Sequence, residues 1–357
     1  MGVKLSTILE DYGKEITFKD VLGKKVVIDA YNVIYQFLAT IRGVDGNPLQ
    51  DSHGNKTSHL KGLFNRTIKF IENDIKPIYV FDGTPNPLKQ AEINRRKQAK
   101  LNAQHQLNEA IDDQNDSDIK KFSGRTSHVD STMIENAKKL LQLMGIPIYD
   151  AIHDGEAQAS YMVSKGSAYA IGTQDYDAFL FNAPKIIRNF TVSQTRTQAG
   201  VKTEVPIMLY DINEVLNGLN ITKEQFVDIG ILVGVDFFEG IKGIGGKKAL
   251  ELIKNYGSIE EFLESKASDT MTGKKMEKFD FSALTPEFLG EVRAIFLQPE
   301  MNMEYPPPKF ESADKKGIID FLCKEHDFSQ RLLESGLKRL AKKQPTKTQF
   351  NLDKFTK

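Results

Sequence analysis

Three apolar runs in this chain each lead to an aspartate. Lys25-Val26-Val27-Ile28 runs into Asp29, Ile78-Tyr79-Val80-Phe81 into Asp82, and Tyr169-Ala170-Ile171 through Gly172-Thr173-Gln174 to Asp175. Asp177 stands two residues after Asp175, Asp154-Gly155-Glu156 opens a stretch with helical pattern over 157–165, and Asp236 follows the apolar Ile229-Gly230-Ile231-Leu232-Val233-Gly234-Val235. Carboxylates brought to one place repel each other, a cost relieved when cations sit among them. Oxygen ligands without a neighbouring His/Cys cluster suit a hard cation such as Mg²⁺ or Mn²⁺ rather than zinc. Two such ions side by side can activate water on one side of a phosphodiester and stabilise the leaving oxygen on the other. Taken singly, each acid has a plainer reading. Asp154 suits a helix N-cap, Asp82-Gly83 a turn, and a lone Asp after a strand a solvated loop. Taken together, three strand-end acids and two acidic doublets point to a metal site.

The elements that must position these acids follow from periodicity. Short β-branched and aromatic runs read as buried strands, and the segments between them carry helical spacing. One regular helix is expected over 131–144 (Met133, Ala137, Leu140, Leu141, Met144), stopped by Gly145 with Pro147 beyond it. Strands alternating with helices imply an α/β fold with a mostly parallel central sheet flanked by helices. Ligands of such sheets bind outside the carboxyl ends of the strands, which is where the acids would gather.

Bulk properties constrain less. The 357 residues suffice for one large domain or two smaller ones. Lys+Arg and Asp+Glu are equal at 48 each, so no global basicity announces a polyanionic partner, and local charge decides instead. The single cysteine, Cys323, excludes an internal disulfide and reads as a core thiol among Ile318-Ile319-Asp320-Phe321-Leu322. No apolar run is long enough to span a membrane and no signal-peptide core is seen, so an intracellular location (cytoplasm or nucleoid) is expected.

Charge is nevertheless segregated. Soon after Asp82, residues 88–100 carry Lys89, Arg95, Arg96, Lys97 and Lys100 against Glu92, before turning acidic through Glu109, Asp112, Asp113, Asp116 and Asp118. A solvated surface helix explains such a segment. Its position also suits a basic helix holding a phosphate against metals, with Lys89 and Arg96 two helical turns apart on one face. After Asp236 comes Gly240-Ile241-Lys242-Gly243-Ile244-Gly245-Gly246-Lys247-Lys248. There the glycines allow a tight turn, and the next helix would offer its N-terminal amides and two lysines to a phosphate, a sequence-independent grip on a DNA backbone. Pro306-Pro307-Pro308 reads as a stiff spacer, 314–343 as helical again, and 344 onward as a linker. The terminal Gln349, Leu352 and Phe355 suggest a docking peptide.

The motifs Val27-Ile28-Asp29-Ala30, Tyr35-Gln36-Phe37-Leu38, Thr57-Ser58-His59-Leu60, Val80-Phe81-Asp82-Gly83, Gly155-Glu156-Ala157-Gln158-Ala159, Gln174-Asp175-Tyr176-Asp177 and Gly243-Ile244-Gly245 occur in the order of a flap endonuclease of the XPG-type nuclease family. The chain resembles the archaeal form along essentially its whole length. The resemblance implies a PIN-like α/β nuclease core with a helical arch and a helix-two-turn-helix motif. It also implies cleavage of 5′ flaps at the junction with duplex DNA, in Okazaki-fragment maturation and base-excision repair, and 5′–3′ exonuclease action. Carried over by position, Asp29, Asp82, Asp154, Glu156, Asp175, Asp177 and Asp236 would hold two Mg²⁺ ions, with Mn²⁺ able to substitute. Lys89 and Arg96 match the pair that contacts the scissile phosphate, Tyr35 the aromatic that stacks on a base, and Gly2 the glycine near the active site. Thr57 and Arg66 fall where a one-nucleotide 3′ flap is received. Gly243, Gly245, Lys247 and Lys248 would grip duplex DNA with help from K⁺. Gln349, Leu352 and Phe355 match the peptide that binds the sliding clamp (PCNA). A single copy acting on branched DNA, with no membrane partner, is implied.

The implied division is a nuclease domain over 1–343 and a tail over 344–357. Within the domain, an N-terminal region covers 1–98, an arch about 84–130, an internal region 131–260 with the helix-two-turn-helix at about 222–256, and a C-terminal helical region 261–343. The chain departs from the family pattern in three places. Asp154 stands where Glu is usual, one methylene shorter; Thr356 replaces a second aromatic in the clamp peptide, with no long basic tail after it; and the N-terminus reads Val3-Lys4-Leu5. Two other readings use the same residues: a related 5′ exonuclease or a Holliday-junction or bubble nuclease, and a non-catalytic clamp-bound binder of DNA junctions. Deleting the residues after Lys347 is expected to spare basal flap cleavage and remove stimulation by the clamp; cleavage assays with and without clamp check this, and unchanged stimulation refutes the tail reading.

Overall fold

All three apolar runs become strands, and the three strands are neighbours. The computed structural model describes residues 3–43, 46–89, 98, 102, 129–198, 201–268 and 279–341. Gly2, Arg96, Gln349, Leu352 and Phe355, and most of the segment read as an arch, lie outside the described residues. The strands are β1 (Lys14–Ile16), β2 (Lys25–Asp29), β3 (Lys76–Phe81), β4 (Ile148–Asp150), β5 (Ala170–Gly172), β6 (Lys185–Arg188), β7 (Thr195–Gln198), β8 (Val201–Glu204) and β9 (Ile207–Asp211). Seven of them form one sheet in the order β1-β9-β6-β5-β2-β3-β4, while β7 and β8 pair separately as an antiparallel hairpin. The run β6-β5-β2-β3-β4 is parallel, and β9 joins it antiparallel to β6.

The parallel strands are buried on both faces, which is why their sequences run apolar without alternation. In β2, Val27 faces one core with Ile78, Val80, Ile171 and Ile186, while Val26 and Ile28 face the other with Tyr79, Phe81 and Ile187. The first core is closed by helices Gly155–Ser164, Lys223–Val233, Gly246–Tyr256 and Pro286–Leu297, the second by Ala30–Thr40, Ser58–Glu72, Ser131–Leu143 and Gln330–Ala341. Helices on both faces and a parallel sheet between them match the expected α/β class. The helix expected over 131–144 is present as Ser131–Leu143, capped by the Asp130 carboxylate on the Met133 amide at 2.8 Å and followed by Gly145 at φ +72.

The 314–343 stretch is not one helix. It divides into Lys315–Ile319, a π-helical turn Asp320–Glu325, and Gln330–Ala341. The break comes from tertiary contacts: buried His326 meets Asp51 Oδ2 at 3.1 Å, and Asp327, in the left-handed region at φ +57, accepts from the Ser52 amide at 2.6 Å. Cys323 is half-buried at the edge of the second core rather than inside it.

The helices around the glycine turn are tied together by a charged knot. Arg293 donates from Nε to Asp228 Oδ1 (2.6 Å) and from Nη2 to Asp228 Oδ2 (2.8 Å), and its other edge reaches both Glu260 oxygens (2.5 and 2.7 Å). These residues lie on Pro286–Leu297, Lys223–Val233 and Ile259–Ser268, so one guanidinium ties three helices together. Removing one partner of a buried pair leaves an uncompensated charge, and the Asp228 side chain is only 4% exposed. Arg293→Met is therefore expected to cost about 3–5 kcal/mol, read as a lower urea midpoint, with Asp228→Asn in the same chain recovering some of the loss.

Candidate metal centre

In chain order the strands step from β2 to β3 to β4 and then return, with β5 placed on the far side of β2. This reversal between β2 and β5 opens a crevice at the carboxyl ends of the strands, and the acids gather there. Asp29 ends β2 and caps Ala30–Thr40, its Oδ1 accepting from the Asn32 amide at 3.1 Å. Asp82 follows β3 and accepts from the Gly155 amide at 2.7 Å. A side chain at Gly155 would put its Cβ 2.8 Å from that same Asp82 oxygen, so glycine is what permits the contact.

Asp154 occupies the N-cap position of Gly155–Ser164 but makes no capping hydrogen bond; its carboxylate is paired with Lys89 Nζ. The helix-cap reading of this residue therefore fails. Glu156, in the first turn of the same helix, is buried and accepts from Thr173 Oγ1 at 2.8 Å. Asp175 accepts from Asn32 Nδ2 at 2.7 Å, and buried Asp177, first residue of Asp177–Leu180, accepts from the Val3 amide at 3.1 Å. Asp236 lies close enough to Asp82, Asp177 and Lys89 to influence the charge of each.

Burial and mutual repulsion push four of these carboxyls, Asp29, Asp82, Glu156 and Asp177, toward their neutral forms. Burial raises Asp82 to about 6, with Asp154 and Asp236 adding to the effect against the Gly155 amide and Lys89. Burial, then Asp236 and Asp175, raises Asp177 to about 7. Asp29 and Glu156 are raised well above the usual carboxylate range, again by burial first, then by Asp82 for the one and Asp177 for the other. Burial opposes the Lys89 charge, but Asp154, Asp236 and Asp82 outweigh it and raise its pKa. Among the described residues no three His, Cys, Asp or Glu side chains converge directly on one point. The acids nevertheless lie near enough to feel one another's charge, Asp29 that of Asp82 and Asp175, Glu156 that of Asp177 and Asp175, and Asp177 that of Asp236.

The remaining candidates surround this rim. Lys89 closes the short turn Pro87–Lys89, with its ammonium 5.4 Å from the centre of the Phe237 ring. Tyr35 is exposed on Ala30–Thr40, and Tyr31, one turn earlier, has its hydroxyl pKa raised by burial and then by Asp82. Thr57 is buried at the start of Ser58–Glu72, while Arg66, further along that helix, is half-buried near Tyr79 with Nη1 unpartnered. Gly243 takes φ +87 in the glycine turn, and Gly245 caps Gly246–Tyr256. Lys247 is exposed there, whereas Lys248 folds back to donate to the Gly243 carbonyl at 3.0 Å and lies 4.7 Å from the Phe279 ring centre. Sequence reasoning missed Asn32, Thr173 and Tyr31. Asn32 and Tyr31 sit within one helical turn of Asp29, a spacing that could have marked them; nothing local marks Thr173.

Residues 1–103 match the XPG N-terminal domain and residues 145–236 the XPG I-region. The chain is 42% identical to the flap endonuclease 1 of Pyrococcus furiosus, with 100% of both chains covered. Among solved structures it matches flap endonuclease-1 from Methanococcus jannaschii with a TM-score of 0.68 and 37% identity, over 93% of this chain and 96% of that one. It shares its fold with the catalytic core of Rad2 in complex with DNA substrate, at a TM-score of 0.72 and 22% identity over 95% and 100% of the two chains.

Carboxyls whose pKa is raised on folding bind more protons folded than unfolded, so the stability they contribute is complete below the unfolded value near 4 and is lost as pH rises through the folded values. For Asp82 and Asp177 those values are about 6 and about 7. In EDTA the melting temperature is thus expected to fall between pH 5 and pH 8, and added Mg²⁺ to raise it more at pH 8 than at pH 5.5. Calorimetric melting across that range checks the sign; a metal effect that grows toward low pH overturns it.

Proposed function

The chain belongs to the flap endonuclease family of XPG-type nucleases, and from that premise we propose that it is a structure-specific 5′ flap endonuclease with accompanying 5′–3′ exonuclease action, serving Okazaki-fragment maturation and base-excision repair. The observation that carries the reading is the rim of seven carboxylates, four of them raised in pKa by burial and mutual repulsion, at the switch point of a parallel sheet. An all-oxygen donor set of this charge fits hard divalent cations. Asp29, Asp82, Asp154, Glu156, Asp175, Asp177 and Asp236 would hold two Mg²⁺ ions, with Mn²⁺ able to replace them. When bound, the ions supply water activation at neutral pH and counter-charge for the leaving oxygen.

The protein's own groups bind and orient. Lys89, paired with Asp154, would turn its ammonium toward a scissile phosphate, where with Arg96 it would neutralise charge that develops as the bond breaks. The exposed Tyr35 ring offers a stacking platform, an interaction worth about 1–3 kcal/mol per base. Thr57 and Arg66 would receive a one-nucleotide 3′ flap, and Gly2 would pack near the acids. Gly243, Gly245, Lys247 and Lys248 would hold the duplex backbone, with K⁺ at the turn. The flap would thread or bend beneath the arch, and the DNA would unpair near the junction. Cleavage would leave a 5′-phosphate and a 3′-hydroxyl. Gln349, Leu352 and Phe355 would dock the tail, 344–357, on the sliding clamp, while 1–343 acts as a single-copy nuclease domain.

Cleavage of an end-labelled double-flap DNA, with Mg²⁺ and with EDTA, tests this against single-stranded and nicked controls. A single Mg²⁺-dependent cut one nucleotide into the downstream duplex is expected, and Asp175→Asn should abolish it while sparing flap binding. A ladder from the 5′ end would mark an exonuclease instead, binding without any cut a junction scaffold, and near wild-type cutting by Asp175→Asn would refute the metal assignment.

A further inference from the structure

Residues 173–176, between β5 and Asp177–Leu180, carry Asp175 and lead directly into Asp177, yet they belong to no helix or strand. Repulsion within the rim would spread such a segment, so something must hold its backbone. Asn32 holds the Asp175 carboxylate, the Thr173 hydroxyl accepts from the Asp175 amide at 3.1 Å, and the Val3 amide holds Asp177. The carbonyl of Gln174 and the ring of Tyr176, on either side of Asp175, are held by a single residue from the end of β6.

That residue is Arg188. Its Nη2 donates to the Gln174 carbonyl at 2.8 Å, its Nη1 donates to the Tyr176 hydroxyl, and its guanidinium carbon lies 3.8 Å from the centre of the Tyr176 ring. Its charge also lowers the pKa of the Tyr210 hydroxyl on β9, against the larger effect of burial. Arginine stays charged at every working pH, and its planar fork can span two acceptors while stacking on a ring. A lysine at the same point would reach one acceptor and could not stack. The sheet fixes the backbone from which the guanidinium reaches, since Arg188 pairs with Met208 of β9.

We propose that Arg188 is a positioning residue for metal binding. Clamping Gln174 and Tyr176, it fixes the backbone on both sides of Asp175 and sets the direction in which Asp175 and Asp177 present their carboxylates. The inference rests on the reading of those two acids as metal ligands. Arg188 would act through Gln174 and Tyr176, which it contacts directly, rather than as a ligand itself. Its removal is predicted to loosen metal binding by the factor typical of residues that support a ligand, without removing any ligand.

The test uses the full chain with Arg188→Lys, Arg188→Met and Tyr176→Phe, alongside Asp175→Asn. Three quantities are read: Mn²⁺ binding to the DNA-free protein by electron paramagnetic resonance, single-turnover cleavage of double-flap DNA against Mg²⁺ concentration, and affinity for that DNA in EDTA. Both Arg188 variants should lose about 10–100-fold in Mn²⁺ affinity, with the Mg²⁺ midpoint of cleavage moving up in step. Their DNA affinity in EDTA should stay within about twofold of wild type, and high Mg²⁺ should restore some of the rate. Tyr176→Phe, which keeps the ring and loses one acceptor, should show a smaller shift in the same direction.

Unchanged Mn²⁺ affinity in both Arg188 variants overturns the proposal. So does a fall in DNA affinity that parallels the loss of rate with no shift in the Mg²⁺ midpoint, since that marks a merely structural role. If Arg188→Met does not fold, Arg188→Lys and Tyr176→Phe still decide. Asp175→Asn separates the two levels. If it binds Mn²⁺ and cuts like wild type, the metal reading itself has failed; if it is inactive while the Arg188 variants behave as wild type, only the positioning role has failed.

Discussion

Seven carboxylates crowded on one edge of a parallel sheet repel each other, and much of the architecture around them answers that repulsion. Five of the acids are met by a donor from a distant segment. Asp82 takes an amide from Gly155, Asp175 an amide group from Asn32, Glu156 a hydroxyl from Thr173, Asp177 the backbone of Val3, and Asp154 the ammonium of Lys89. Because every donor comes from a different element, the rim holds together only when the whole core is assembled. The bonds to Asp82, Glu156 and Asp177 lower those carboxyl pKa values without cancelling the cost of burial, which leaves Asp82 and Asp177 near neutrality and Asp29 and Glu156 well above the usual carboxylate range. A site with this residual demand for positive charge suits divalent cations.

The sheet makes the crowding possible. Strands buried on both faces are rigid, and parallel order sends β2, β3 and β5 out through the same edge. The reversal between β2 and β5 opens the crevice, and small residues let backbone enter it. A Cβ at Gly83 would sit 2.2 Å from the Ala151 and Ile152 carbonyls, and one at Gly155 would strike Asp82. The glycine turn beyond Asp236 is joined to this core from two sides. Arg293 ties the helix before the turn to its neighbours, and Gly246 lies so close to the N-terminal segment that a Cβ would meet Thr7 Oγ1 at 2.9 Å. The glycine turn and the acidic rim thus belong to one packed body.

Much of this was legible in the sequence. Apolar runs ending on acids marked three strands and their exits, Gly145 ended a helix, and the glycines before Lys247 marked a turn, all because period and backbone freedom are properties of a few adjacent residues. The same local reasoning failed where distant contacts overrode it. The 314–343 stretch keeps helical spacing but breaks at His326-Asp327, since those side chains serve the loop at Asp51 and Ser52. Asp154 holds a cap position and does not cap, because Lys89 draws its carboxylate away.

By itself, then, the sequence determined the element types, the α/β class and the supply of strand-end acids. Tertiary structure alone decided that β5 lies beside β2, that Asn32 reaches Asp175 across 143 residues of chain, that Val3 reaches Asp177 across 174, and that Arg188 stands behind the turn between them. The physical reason is range. A strand, a cap or a tight turn is settled by energies between near neighbours, whereas the meeting of like charges and their donors depends on how the sheet is ordered, which no local window contains.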